Sequence, residues 1–162
     1  METHYNVLFL LNKMATLKDQ LQKANRITPE KVNQELFNFI RSIESELTAL
    51  NKKQLNEDSK DIYGEAIGFY SYATEVITKG AKKRGEPFDA KDTGAFLGGL
   101  YAKVQGQNVF FGSSDPKTAL ILDSDNWLSK DLFGLSDENL NLVIEEKLKP
   151  FVIQLYRNTL EI

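Results

Sequence analysis

The chain has 162 residues, 41% hydrophobic and 27% charged, with a formal net charge of −3, which places it among ordinary soluble globular proteins with one domain and a real core. The acidic balance supplies no overall attraction for nucleic acid, and the absence of cysteine excludes disulfides and thiolate metal sites while leaving the redox compartment unreadable. No stretch approaches the roughly 20 apolar residues of a membrane-spanning helix, so no membrane partner is expected.

In chain order, residues 1–13 are ambiguous. Val7–Leu11 either opens a helix or forms a short strand docked on the core, and without a basic flank it is not a signal peptide. The lone histidine, His4, lies too near the start to serve as a general base held in fixed geometry. Ala15–Ala24 is polar and helix-favouring, with Leu17 and Leu21 on one face. Thr28 then caps a helix whose first position is Pro29, where a missing N–H costs nothing. Val32, Leu36, Phe37, Ile40, Ile43, Leu47 and Leu50 form its apolar stripe through about Ala49. Too few heptads are sustained for a coiled coil, so the stripe packs on the core.

Leu50–Lys60 is polar and reads as a connection. Asp61–Lys83 is apolar and aromatic, and helix suits its second half; Gly64 and Gly68 each weaken a helix in the first half by about 1 kcal/mol. Tyr63, Tyr70 and Tyr72 are either a recognition surface or half-buried packing. Lys79, Lys82, Lys83 and Arg84 suit the negative end of that helix, with Gly85 as a left-handed stop. Glu86–Asp92, holding Pro87, is a loop. Ala95–Phe111 reads as a β-hairpin about Gly106-Gln107-Asn108, and Gly112–Pro116 as a turn. Lys117–Leu122 reads as another short strand. Asp123–Gly134 is a loop whose Trp127 and Phe133 fold back or meet a partner. Ser136 caps a final apolar-striped helix, which Pro150 is expected to kink or break.

Few of these residues point to chemistry. Asp123-Ser124-Asp125-Asn126 begins like a calcium loop, but Trp127, Leu128 and Gly134 stand where a ligand, a glycine and the closing glutamate belong. Gly94, Gly98 and Gly99 form no phosphate-binding fingerprint. Ser113 and Ser114 lack a histidine within the fold to activate them. Glu44 and Glu46 fall on different helical faces, and Glu145-Glu146 are adjacent, so paired-carboxylate catalysis has no evident seat. The expectation is no enzyme, no cofactor and no metal. The basic cluster could touch phosphates, or it is a solvated helix end offset by Glu86, Asp89 and Asp92.

The junction carries a resemblance. A helix ending in Ala81-Lys82, Pro87 shortly after, and Thr93-Gly94 entering a hairpin resemble the head–tail connector and tail-completion proteins of tailed bacteriophages. Lys149-Pro150-Phe151 resembles the proline-aromatic at the last helix of such proteins. The likeness covers roughly Tyr70 to Leu160. It departs from the family after the hairpin, where Asp123–Gly134 replaces a Glu-x-Gly-Thr pattern, and in the N-terminal seventy residues, a longer helical region than a minimal member has. The resemblance implies an α+β fold, with a long helix on a small antiparallel sheet in a single domain, 1–162. It further implies a structural virion protein, a homo-oligomeric ring at the neck or tail terminus that meets portal or tail proteins, with DNA possible in its lumen. The interface candidates are Pro87, Phe88, Asp92, Thr93, Gly94, Gln107, Asn108, Trp127 and Phe133, and the phosphate candidates are Lys79, Lys82, Lys83 and Arg84.

Overall fold

The structure, a computed structural model, describes residues 17–91, 93–123 and 129–162. The fold is α+β, built from helices around one two-stranded antiparallel sheet. Helix α1 (Leu17–Ala24) is followed by α2 (Pro29–Ser42), whose start is as expected: the Thr28 hydroxyl accepts the Lys31 N–H at the N-cap, and Pro29 occupies the first turn. The single stripe foreseen through Ala49 is two helices. α2 ends at Ile43, where φ is −108° and ψ is 15°, after the Ser42 hydroxyl donates to the Phe39 carbonyl at 2.6 Å. Such local side-chain bonds compete with the helix ladder.

Helix α3 (Glu44–Asn56) then extends through residues expected to be a polar connection. The polarity misleads because Asn51 and Gln54 are buried, each about 1% exposed. Asn51 donates to the carbonyls of Leu132 and Gly134, at 3.0 and 2.7 Å. Gln54 donates to the Asp61 and Gly134 carbonyls and accepts from the Ser136 N–H and the Asn139 amide. Buried Asp61 accepts the N–H groups of Tyr63 and Glu65 and the Ser129 hydroxyl. These bonds clamp the segments 59–65 and 129–136 onto α3, and no described buried side-chain polar atom lacks a partner.

The helix expected over the second half of 61–83 is confined to α4 (Tyr72–Ile77), capped by the Ser71 hydroxyl. Lys79 and Gly80 take left-handed conformations that end it, with the Gly80 N–H on the Glu75 carbonyl. Gly85 therefore belongs to a later turn and is not the helix stop.

Ala95–Gly98, expected to open the hairpin, is instead a single helical turn, α5. The hairpin follows as β1 (Leu100–Gln105) and β2 (Asn108–Ser113), with Gly106 and Gln107 as its turn, and β2 takes in Gly112 and Ser113, which were expected in the turn after it. Gly99 passes so close to the returning chain that a Cβ would lie 3.0 Å from the Asp115 backbone nitrogen. Lys117–Leu122 is not a strand; Thr118–Asp123 forms helix α6. A short apolar run does not reveal its own period.

Ser136 caps α7 (Asp137–Val143) as expected, its hydroxyl accepting from Asn139. Pro150 does not break the chain's last helix. A π-helical segment, Ile144–Leu148, joins α7 to α8 (Lys149–Leu160), and the Lys149 N–H reaches the Ile144 carbonyl. The wider turn lies where the proline ring would otherwise meet the Glu146 carbonyl.

Two apolar clusters form the core. One joins Leu55, Ile67, Phe96, Leu97, Leu100 and Leu132. The other packs Ile43, at the α2–α3 junction, and Leu47 of α3 with Ala102 of β1 and Val143 of α7. Phe39 of α2 stacks on Phe151 of α8, ring centroids 4.2 Å apart. Helix α3 also reaches the outer edge of β1, where the Thr48 hydroxyl and a Glu44 carboxylate oxygen accept the N–H groups of Ala102 and Val104, at 2.8 and 2.7 Å. No helix among the described residues is long and apolar enough to cross a membrane.

Candidate interaction surface

The region between α4 and α5 gathers most of the interface and phosphate candidates. Its frame is a small backbone ladder in which Phe69 bridges Pro87, Tyr70 donates to the Glu86 carbonyl, Gly85 donates to the Tyr70 carbonyl, and Phe88 donates to the Gly68 carbonyl. Alternation along this ladder turns Tyr70 inward and Phe69 outward.

Inside the ladder Tyr70 anchors a polar latch. Its hydroxyl donates to the Asp89 carboxylate at 2.5 Å, and the Lys82 ammonium lies 3.2 Å from the same oxygen. That ammonium also sits 4.9 Å from the centre of the Tyr70 ring and bonds the Lys91 carbonyl. Phe88 meets Tyr70 edge-on at 5.4 Å. Burial works against the Asp89 charge, but the Tyr70 hydroxyl, the Lys91 N–H and Lys82 outweigh it and hold the carboxyl below its ordinary range. Burial, then the bond to Asp89, pushes the Tyr70 hydroxyl up. Burial alone would lower Lys82, yet its bonds to Tyr70 and Asp89 raise it above the usual lysine value.

Lys82 is thus committed to holding the loop. Lys79, Lys83 and Arg84 are exposed, and none of them takes part in a described ion pair. Glu86 and Glu75 accept the backbone N–H groups of Lys83 and Arg84, so two carboxylates stay beside the exposed cations.

The adjoining stretch 63–77 exposes large apolar groups. Tyr63 is 72%, Phe69 55%, Tyr72 65%, Val76 58% and Ile77 80% exposed. Phe69, Tyr72 and Val76 fall three and four residues apart, a helical spacing that puts Tyr72 and Val76 on one face of α4. Of the three tyrosines, Tyr70 is therefore packing, and Tyr63 and Tyr72 are surface.

The interface candidates differ in exposure and place. Pro87 and Thr93 are exposed, Phe88 and Gly94 are half-buried, and Gly94 has φ of +87° ahead of α5. Gln107 and Asn108 lie exposed at the hairpin tip, where Gly106, Gln107 and α2 residues from Pro29 to Arg41 border an open hollow of about 470 Å³. Phe133 folds back, tilted against Phe96 at 6.0 Å, so it contributes to the core and not to an outward surface. Asp92, Trp127 and the failed calcium loop's 124–128 lie outside the described residues. Among the described residues no group of three acidic or histidine side chains could hold a metal ion. No protein-family model matches the chain, and neither does any curated protein or solved structure.

Proposed function

We propose that this chain is a structural assembly subunit, a virion protein of a tailed phage that forms a ring at the neck or tail terminus and docks portal or tail proteins above and below. The observation that supports assembly is the exposure of Tyr63, Phe69, Tyr72, Val76 and Ile77 within one short segment. Large apolar side chains exposed this closely along a chain suit an interaction site, and aromatic anchors carry most interface energy once buried. The placement in a virion rests on the resemblance of Ala81-Lys82, Pro87 and Thr93-Gly94 to connector and tail-completion proteins. Peptide mass spectrometry of purified particles tests it: the chain is expected at the fixed low copy number of a single ring, and its absence from intact particles would remove the reading.

A second reading, a small phage nucleic-acid-binding or regulatory protein, is favoured by the exposed Lys79, Lys83 and Arg84. It requires DNA affinity that falls steeply with salt, by a log–log slope of roughly 0.9 for each phosphate neutralised. Neutralising Lys83 and Arg84 together should then flatten that slope by about two. Salt-independent or undetectable binding would leave the assembly reading alone.

A further inference from the structure

The two edges of the hairpin are treated differently. Because Ala102 and Val104 of β1 direct their N–H groups to Thr48 and Glu44, the bonds between the strands run through Tyr101, Lys103 and Gln105, opposite Gly112, Phe110 and Asn108. The outward groups of β2 are therefore those of Val109, Phe111 and Ser113. No described group pairs with the N–H or C=O of Val109 or Phe111, while the Ser113 carbonyl accepts the Thr118 hydroxyl at 3.4 Å and keeps a second lone pair. The strand reads NVFFGS, so it carries neither the charged side chains nor the proline that keep a bare edge from pairing. Phe110 on its outer face is 48% exposed.

We infer that β2 is a self-association edge, pairing antiparallel with β2 of a second copy of this chain about a two-fold axis. The occupant follows from the geometry. β1 is closed by α3, so copies cannot add strand to strand head to tail, and only β2 can meet β2. Pairing of outward residues sets Phe111 against Phe111 on the axis, Val109 against Ser113, and Phe110 against Gly112. The last pair is shape-matched. Tyr101 already lies over Gly112, where a Cβ would come within 2.6 Å of its hydroxyl, so Phe110 from the second copy joins an aromatic surface over a glycine. An uncharged strand brings no like charges together across the axis. The result is a four-stranded sheet with both copies of α3 on one face. A two-hairpin sheet is also a sturdier unit than one hairpin. This pairing is isologous and does not depend on the ring proposed above, which needs a head-to-tail contact elsewhere.

The experiment combines sedimentation equilibrium of the full chain with amide hydrogen exchange, on the wild type and Phe110→Glu. Glutamate at 110 faces Lys103 within its own hairpin, which keeps the monomer sound, but lies diagonally from its own counterpart across the axis. A dimer is expected in which the Val109 and Phe111 amides exchange at least about tenfold more slowly as dimer accumulates. The dissociation constant should rise about tenfold or more in the variant, with an unchanged circular dichroism spectrum. A monomer at every concentration would overturn the inference. So would larger oligomers with both amides unprotected, an outcome that leaves the ring standing, or protection that arises only when a different protein is added.

Discussion

At the scale of single residues, side chains that look surface-like hold this molecule together. Gln54 uses both ends of its amide, so Gln54→Leu strands the Ser136 N–H, while the Asp61 carbonyl keeps the Gly64 N–H. A buried group left unpaired costs about 1–3 kcal/mol, and a loss of about 2 kcal/mol is expected in urea denaturation. Asp89→Asn tests the latch. The depressed Asp89 carboxyl contributes stability that is present above the ordinary carboxylate pKa and disappears as pH falls through its lowered value. The variant should therefore melt lower than the wild type near neutral pH, by about 3 °C for each kcal/mol lost, and the gap should close as the pH falls below the ordinary carboxylate range. A gap that persists in acid would show that Asp89 acts without its charge. Neither role was legible in the sequence. The partners of Gln54 are peptide groups some 80 residues away, and nothing local distinguishes Lys82 from Lys83.

At the scale of elements, what local chemistry decides was readable. Thr28-Pro29 and Ser136 start helices as their side chains dictate, and Gly106-Gln107 turns the hairpin. Lys117–Leu122 was misread because a short apolar run fits a strand or a helix equally, and tertiary placement chose helix. Pro150 was expected to kink or break its helix; it does not break it, and a single wide turn accommodates it. The packing of α3 on β1 had no sequence signal, because it depends on which hydroxyl and carboxylate meet a strand edge. Thr48→Val keeps the shape and removes the acceptor for the Ala102 N–H. It should lower the urea midpoint by the equivalent of about 1–2 kcal/mol, with the slope unchanged. A neutral result would mean that water reaches that edge.

At the scale of the whole molecule, the candidate surface was half legible. The basic cluster and the tyrosines stood out in the sequence, whereas their division into latch and outward face appears only when the ladder of 68–70 and 85–88 is in place. If the outward apolar face is buried by assembly, Ile77→Asp, at a position 80% exposed, should leave the unfolding free energy of the isolated chain within about 0.5 kcal/mol of wild type. The same change should shift assembled material toward smaller species in sedimentation velocity. Unaltered assembly would assign the contact to another face.

The clamp between α3 and the segment 129–136 also sets an order of events during synthesis. Asn51 and Gln54 leave the ribosome some 80 residues before the carbonyls and N–H they bind. Until Ser136 emerges, α3 carries a hydrated amide face, and the Leu55–Leu132 core cannot close over it. Nascent chains stalled ahead of Ser136 should remain protease-sensitive throughout 44–70, and those released past the cap of α7 should become resistant in a single step.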